Sequence, residues 1–226
     1  CRVGHDLPAF GQRLNMSQSC IRPLIVSPDT LRGDGDQAAR TPPGQSLTSK
    51  WPVLHFGEVP DLQKRSWKLV IDGLCKNPLV LDWDSFMQLP QVEVACDIHC
   101  VTRWSRLDNR FIGVSTRAII DLVEPSSEAK YVIQHADSDP DGKWTTNLPL
   151  HAFTSEDCLL AWSHDGSPLT PDHGGPVRTI VPQRYSWKGA KWIRRIELAA
   201  EDRPGFWELN GYHNEGNPWL EERSGW

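Results

Sequence analysis

The stretch QVEVACDIHC, residues 91–100, is the feature that most constrains how this chain folds. Its apolar positions recur every second residue, at Val92, Val94, Cys96 and Ile98. That spacing is the side-chain period of a β-strand with one buried face. The strand ends at Cys100, and functional side chains are often found where an element gives way to a loop. The pattern therefore predicts a strand that delivers a thiol to a cleft.

Short stretches of similar character continue from Trp51 onward, separated by Gly, Pro and Asp-Gly turns. Strands are predicted within residues 67–74, 129–136 and 157–170, the last folding back at Asp165-Gly166 into a tight hairpin. Short helices are predicted within residues 82–90, with Asp82 as N-cap, and 113–123. We therefore expect an α+β fold that is mainly β, with mixed sheets and a few short helices.

The first 45 residues differ in composition from the rest of the chain. They are rich in Gly, Pro, Asp and Arg and show little hydrophobic periodicity. Such a segment buries too little apolar surface to offset the entropy of ordering it. Residues 1–45 are therefore predicted to be a flexible N-terminal tail, and residues 46–226 a single domain of ordinary size.

Charge and hydropathy exclude some classes of function. The net charge is -5 and the pI is about 5.9, whereas a nucleic-acid surface needs a basic footprint. No apolar run approaches the roughly 18 residues that cross a bilayer, and no secretory signal pattern is recognisable. The sequence thus predicts a soluble cytoplasmic protein with no membrane span and no nucleic-acid partner.

Cys100 lies in a crowded stretch, CDIHCVTRWSR, with Arg103 and Arg106 expected to favour its thiolate. Cys96 is roughly 13 Å away along an extended strand, too far for a disulfide without a sharp bend. A buried structural cysteine, a zinc site that combines Cys96 and Cys100 with distant histidines, and a nucleophilic cysteine of a hydrolase all remain open.

A second informative stretch is DHGGPVRTIVPQRYSWKGAKW, residues 172–192. Two glycines in it permit close backbone approach to a ligand. Its hydrogen-bond donors are concentrated in an otherwise acidic chain: His173, Arg178, Ser186, Lys188 and Lys191. These donors predict an anion pocket, although a solvated hairpin with surface lysines would have a similar composition.

Together, the two stretches resemble the molybdopterin domain of the sulfite oxidase family, over about residues 45–226. The resemblance is greatest to small heme-free bacterial members, and near Cys100 to methionine sulfoxide reductase catalytic subunits. In that family the cysteine of a motif like HCVTRWS binds molybdenum beside the two dithiolene sulfurs of one pterin. The resemblance therefore implies that Cys100 is the metal ligand, as befits a soft thiolate.

The resemblance also implies roles for other residues. HGGPVRTIVP resembles the family motif whose histidine and arginine hold the pterin or its phosphate, and SWKGAKW resembles the segment that wraps the same cofactor. The implied cofactor-binding residues are His55, Asp137, His173, Arg178, Ser186, Lys188 and Lys191. His55 comes from LHFGEVP, where sulfite oxidases have an Arg-Asn-His run, so the arginine that helps to hold sulfite has no counterpart.

On the substrate side the resemblance implies Tyr212, with His213, facing Arg103 and Trp104. The expected activity is a two-electron oxygen-atom transfer involving a small oxyanion or a sulfoxide. No heme domain is recognisable, so electrons are expected to pass to or from a separate partner protein.

Overall fold

The computed structural model describes residues 23–31, 36–137 and 144–225. Within these ranges the strands form two sheets. The first contains β1 (Leu24–Val26), β2 (Ser46–Leu47), β5 (Gln91–His99), β6 (Trp104–Ser115), β9 (Leu159–His164), β10 (Ser167–Pro168) and β11 (Arg178–Ile180). The second contains β3 (Lys68–Gly73), β4 (Leu79–Asp82), β7 (Tyr131–Ala136), β8 (Thr145–Pro149) and β12 (Ile193–Ala199).

Four short helices accompany the sheets in the described ranges: α1 (Trp83–Gln88), α2 (Thr116–Val123), α3 (Leu150–Phe153) and α4 (Phe206–Leu209). The Asp82 carboxylate accepts a hydrogen bond from the Ser85 backbone N–H at 2.9 Å, which confirms the predicted N-cap of α1. α2 lies within the predicted residues 113–123 and begins at Thr116, because β6 continues to Ser115, which occupies the N-cap position.

Both sheets mix parallel and antiparallel pairs. β5 and β6 form a long antiparallel hairpin, and β6 pairs antiparallel with β9. β1 runs parallel to β5, β2 parallel to β6, and β3 parallel to β12. The predicted α+β fold, mainly β with mixed sheets and short helices, is confirmed.

The alternating apolar side chains of β5 are buried on one face of the strand, as predicted. Val94, Cys96 and Ile98 are buried in an apolar cluster with Phe111 of β6. The opposite face is also covered near the end of the strand, where Asp97 and His99 are almost fully buried. β5 is therefore held on both faces where it approaches Cys100, which restricts the position of the turn that follows.

Part of the predicted N-terminal tail, residues 1–45, makes contacts with the rest of the chain. Leu24–Val26 pair with Glu93–Ala95 of β5, and the Ser27 hydroxyl donates to the Asp157 carboxylate at 2.7 Å. Arg40 is buried and forms an ion pair with Asp97. Composition did not reveal these contacts because they depend on single polar groups and a three-residue strand. Residues 1–22 and 32–35 of the predicted tail lie outside the described residues.

Among the described residues, the longest helices are far too short to span a bilayer, and none qualifies as a membrane-crossing segment.

Candidate functional site

A cavity of about 230 Å³ opens beside the end of β5. A single water needs only about 10–15 Å³ of such volume, so the cavity is large enough for an organic ligand. Both sheets contribute to its wall: Arg178 begins β11 in the first sheet and Ala136 ends β7 in the second. The lining residues relevant here are His55, Cys100, Thr102, His173, Arg178, Ser186, Lys191 and Tyr212, with Trp51, Trp104, Trp144, Trp187, Trp192 and Trp207.

Cys100 occupies the first position of the turn between β5 and β6. Its backbone N–H donates to the Trp104 carbonyl at 2.9 Å, and its carbonyl accepts from the Arg103 N–H at 3.1 Å. The sulfur lies 3.1 Å from the Thr102 hydroxyl, and the residue is 8 % exposed. Burial raises the pKa of the Cys100 thiol, while the Thr102 hydrogen bonds and the charges of Arg223 and Lys191 act in the opposite direction.

The cations near this thiol are not those predicted. Arg106 instead bonds the Asp165 carboxylate at 2.6 Å and contacts Asn109 and His164. Arg103 is exposed and does not line the cavity. Arg103 and Arg106 follow Cys100 by three and six residues, and Arg106 lies in β6, so their proximity in sequence did not place their charges on the cavity wall beside the sulfur.

One part of the cavity wall is cationic. Arg178 is 4 % exposed, and its Nη1 donates to the His173 carbonyl at 3.0 Å. Lys191 donates to the backbone carbonyls of Leu54 and Asp172 at 2.8 and 2.7 Å. The hydrogen bonds described for these two side chains go to neutral carbonyl oxygens, so their positive charge is not neutralised by a contacting carboxylate.

The electrostatics of this wall follow from that arrangement. Burial lowers the pKa of Arg178 to about 10. Burial, followed by the Arg178 charge, lowers the pKa of Lys191 to about 7. Burial and the neighbouring charges of Arg178 and Lys191 lower the pKa of His173 to about 4, so this imidazole is neutral at pH 7. An anion bound here would relieve the cost of the buried charges.

Trp51 holds His173 in place. Their rings stack with centroids 3.9 Å apart and planes inclined by 10°, and His164 packs on the same indole at 4.2 Å. The Arg178 guanidinium lies 5.4 Å from the Trp51 ring centroid. These ring contacts fix an imidazole whose Nδ1 is buried without a hydrogen-bond partner among the described residues.

The two glycines after His173 serve packing of the chain itself. Gly174 has a positive φ of 97°, and a Cβ there would lie 2.9 Å from the Lys191 Cβ. At Gly175 a Cβ would lie 2.4 Å from the Leu169 carbonyl oxygen. The glycines therefore let the segment that carries His173 approach the segment that carries Lys191, so that both side chains reach one cavity.

A third part of the wall is aromatic and comes from the C-terminal region. Tyr212 stacks on Trp207 at 5.0 Å with planes inclined by 14°, and meets Trp187 edge-on at 5.0 Å. Burial, with a smaller contribution from the Cys100 charge, raises the pKa of the Tyr212 phenol, which therefore stays protonated at pH 7. This wall offers a hydroxyl donor among indole rings.

Three of the predicted site residues are not brought to the cavity: Arg103, Asp137 and Lys188. Asp137 forms an ion pair with Arg194 at 2.8 Å, and most of the loop that follows it lies outside the described residues. Lys188 is fully buried and bonds Glu208 at 2.6 Å. Its charge is thus already paired within the protein.

The structure brings the remaining predicted residues together around one cavity: His55, Cys100, His173, Arg178, Ser186, Lys191 and Tyr212. Ser186 donates from its hydroxyl to the His99 carbonyl at 2.8 Å, which links the basic loop to the residue before Cys100. His213, predicted beside Tyr212, instead contacts Glu222 at 3.5 Å. Of the tryptophans that line the cavity, sequence reasoning named only Trp104, although the count of 11 in the chain was a signal for the others.

The described residues contain no cluster of three or more His, Cys, Asp or Glu side chains that could hold a metal ion on their own. A zinc site that combines Cys96 with Cys100 is therefore not supported, and Cys96 faces the apolar cluster instead. In the described part of the chain, the side-chain partner of the Cys100 sulfur is Thr102, not a histidine base. A metal at Cys100 would need its other ligands from an organic cofactor.

The cavity fits such a cofactor. A soft thiol lies on one side, and unneutralised cations lie on another, where the Arg178 Nε is buried without a hydrogen-bond partner among the described residues. Indole rings between them suit a flat heterocycle. Thiolate, arginine and lysine are the groups expected for a soft metal carried by an anionic, phosphate-bearing ring system.

Comparisons with known proteins agree with this chemistry. Residues 56–207 match the family model described as the oxidoreductase molybdopterin binding domain. The uncharacterized oxidoreductase YuiH of Bacillus subtilis is 47% identical over 194 residues, which is 84% of this chain and 95% of YuiH.

More distant relatives are longer. The protein-methionine-sulfoxide reductase catalytic subunit MsrP of Campylobacter jejuni is 29% identical over 167 residues, or 64% of this chain. The chain spans 52% of the length of that relative. The crystal structure of the sulfane dehydrogenase SoxCD from Paracoccus pantotrophus shares the fold with a TM-score of 0.57 at 20% identity, covering 63% of this chain and 40% of that one. The chain therefore belongs to the oxidoreductase molybdopterin-binding domain family, the sulfite-oxidase-like oxidoreductases indicated by its two motifs.

Proposed function

We propose that this chain reduces or forms an uncharged sulfoxide by two-electron oxygen-atom transfer, with molybdenum bound by Cys100. The single observation that supports this most is the shared cavity of the Cys100 thiol, the cationic wall and the aromatic wall. Family membership supports a molybdopterin cofactor. The activity and the substrate are the proposal.

The cavity residues have separate proposed roles in binding the metal and the pterin. Cys100 would bind the metal, and Arg178, Lys191 and His173 would hold the pterin and its phosphate through charge-assisted hydrogen bonds. Arg178 and Lys191 lack a contacting carboxylate in the described residues, which makes their positive charge available to an anion. His55 and Ser186 line the same cavity and complete the proposed set of cofactor-binding residues.

The cofactor, when bound, supplies the two-electron change and the site of oxygen transfer, while the protein supplies position and charge. Tyr212 lines the cavity, and its raised pKa keeps the phenol protonated at pH 7, so it would donate a hydrogen bond to the oxygen of a bound substrate. The neighbouring Trp187 and Trp207 rings would limit the access of water to that hydrogen bond and so strengthen it.

The aromatic wall favours a sulfoxide over a small oxyanion. Its residues Trp187, Trp207 and Tyr212 carry no formal charge, and neither do Val101, Thr102 and Trp104, which follow Cys100 and line the same cavity. Arg103, which the resemblance places on the substrate side, is exposed and does not line the cavity. A neutral, partly apolar molecule loses little hydration on entering such a site, whereas a small dianion would find Arg178 and Lys191 already paired with the phosphate of the proposed cofactor.

A separate electron-transfer protein is part of the proposal. It is supported by the designation of the related MsrP as a catalytic subunit, which implies a further subunit there. We also propose a reducing compartment such as the cytoplasm. The described cysteines, Cys75, Cys96, Cys100 and Cys158, are all free thiols, as expected where glutathione keeps thiols reduced.

The test compares two substrates with the molybdenum-loaded protein. Methyl phenyl sulfoxide is offered with a reduced viologen dye, and sulfite with ferricyanide, for the wild type and the Cys100→Ser variant. We expect sulfoxide reduction by the wild type, little sulfite oxidation, and no turnover by the variant. Preferred oxidation of sulfite, or an active Cys100→Ser variant, would contradict the proposal. Cys75→Ser is the matched control, because Cys75 is a free thiol that does not line the cavity.

A further inference from the structure

We propose that residues 40–47 and Arg223 form a clamp that sets the orientation of Cys100, with Gln45 and Arg223 as positioning residues. These residues lie outside the 56–207 range that matches the family model. The inference rests on the proposed function in one respect, namely that Cys100 binds the metal.

Gln45 and Ser46 make two contacts with the turn that carries Cys100, and Thr48, just after them, makes one with the start of β6. The Gln45 Nε2 donates to the Cys100 carbonyl at 3.0 Å. The Ser46 N–H donates to the Arg103 carbonyl at 2.9 Å, and the Thr48 N–H donates to the Ser105 carbonyl at 3.0 Å. The first and last residues of the turn are thus both held by the same short segment.

Arg223 completes the clamp from the other end of the chain. Its Nη1 donates to the Val101 carbonyl at 2.9 Å, and its Nη2 donates to the Pro43 carbonyl at 3.1 Å. One guanidinium therefore joins the turn to the N-terminal segment. Its positive charge also opposes the rise in the Cys100 pKa.

The N-terminal segment is itself fixed by a buried ion pair. Arg40 donates to both carboxylate oxygens of Asp97, at 3.0 and 2.7 Å, and to Asp108 at 2.6 Å. Asp97 is on β5, three residues before Cys100. The segment is therefore anchored on the same strand whose end it holds.

The backbone of the turn between β5 and β6 is strained. Arg103 has a φ of 71°, a left-handed conformation that is unfavourable for a residue with a side chain. Gly44 lies where the N-terminal segment passes the turn and the C-terminal region, and it has a φ of 67°. A Cβ at this position would lie 2.5 Å from the Glu221 Oε1 and 2.9 Å from the Arg103 Nη1. The segment, the turn and the C-terminal region thus pack closely around a strained backbone.

The functional consequence concerns the sulfur. The direction of the Cys100 Cα–Cβ bond follows from the backbone of the turn, and the turn is fixed by hydrogen bonds to its carbonyls at residues 100, 101 and 103. Any rotation of that backbone would therefore move the sulfur and the metal bound to it. Groups that orient a metal ligand typically change metal affinity or activity by about 10–100-fold when removed.

The experiment uses the molybdenum-loaded full chain and the electron paramagnetic resonance signal of the one-electron-reduced metal. The variants are Gln45→Met and Arg223→Met, with Arg223→Lys as the conservative replacement. Gln63→Met is the matched control, because Gln63 is an exposed glutamine whose Nε2 donates to Asp61 away from the cavity. Molybdenum content and thermal unfolding are measured for each protein.

We expect Gln45→Met and Arg223→Met to retain most of their molybdenum, to shift or broaden the resonance signal, and to lose about 10-fold in kcat or more. Arg223→Lys should lie between Arg223→Met and the wild type, and Gln63→Met should match the wild type. Unchanged signals and kcat in both methionine variants would overturn the clamp. A wild type without molybdenum would instead overturn the proposed function.

A measurement on the wild type covers the case in which the methionine variants do not fold. Hydrogen exchange of the Ser46 and Thr48 amides should be slow, since Ser46 donates to the turn and Thr48 to the start of β6. Exchange at the rate of an unstructured peptide would overturn the clamp without any substitution.

Discussion

Arg178, which we propose to be a cofactor-binding residue, carries a cost in the stability of the folded protein. A nearly fully buried guanidinium whose described hydrogen bond goes to a neutral carbonyl is costly, because the charge has lost its hydration without gaining an opposite charge. The lowered pKa of Arg178 expresses the same cost. We infer that a bound ligand supplies the anion that compensates the buried charge of Arg178.

Replacing Arg178 by methionine should therefore have opposite effects on stability and on binding. In the cofactor-free protein we expect the free energy of unfolding to stay level or to rise by about 1–4 kcal/mol, as when buried ionic groups are replaced by apolar ones. Molybdopterin retention should fall sharply. Chemical denaturation and pterin fluorescence after acid oxidation measure the two effects. A large loss of stability in the cofactor-free variant would show that the arginine has a structural partner.

Lys191 makes the stability of the cofactor-free protein depend on pH. Its folded-state pKa of about 7 lies below its ordinary value of 10.5. Between these values the unfolded chain binds more protons than the folded one, so the free energy of unfolding rises with pH in this window. Below about pH 7 both states are protonated and the contribution is constant at its least favourable value.

Denaturation of the cofactor-free wild type and Lys191→Met from pH 7 to 9 tests this expectation. The wild type should gain stability relative to the variant as pH increases, by at most about 1.4 kcal/mol per pH unit for one proton. Parallel pH profiles of the two proteins would mean that Lys191 is not desolvated as its surroundings indicate.

At the level of elements, the C-terminal region is docked by a buried lysine. Lys188 Nζ donates to Asn147 on β8, to Glu208 on α4 and to the Asn214 carbonyl, at 2.8, 2.6 and 2.8 Å. These bonds hold α4 and the segment after it against the second sheet. Tyr212 belongs to that segment, so its place on the cavity wall depends on Lys188.

Lys188→Met should destabilise the protein by about 3–5 kcal/mol, because it leaves the Glu208 carboxylate buried without its charge partner. Adding Glu208→Gln should recover part of that loss by removing the unpaired charge. Thermal unfolding of the single and double variants measures the coupling. If Lys188→Met were as stable as the wild type but lost pterin, the original prediction of a phosphate-binding lysine would be supported instead.

Sequence reasoning worked best where one local rule determines an element. The period-2 alternation predicted β5 and its end at Cys100, and the Asp82 N-cap predicted the start of α1. It failed where the outcome depends on a distant partner. No local pattern predicts ion pairs between residues far apart in the chain. Examples are Arg40 with Asp97, Lys188 with Glu208, and Asp137 with Arg194. Seven predicted site residues line one cavity, since motif positions follow strand ends and tight turns.

On the scale of the whole molecule, both sheets and both ends of the described chain contribute to one site. β5 brings the thiol, the segment around β11 and β12 brings the cationic side chains, and the C-terminal region brings the aromatic wall. The segment before β2 and Arg223 hold the turn between β5 and β6. The central claim is therefore that a metal binds the Cys100 sulfur in the cavity that these parts of the chain form together.

X-ray absorption at the molybdenum edge measures this bond. We expect molybdenum with three sulfur neighbours in the wild type, two from the pterin and one from Cys100, and two in the Cys100→Ser variant. A wild-type protein without molybdenum, or a sulfur count that Cys100→Ser leaves unchanged, would contradict it.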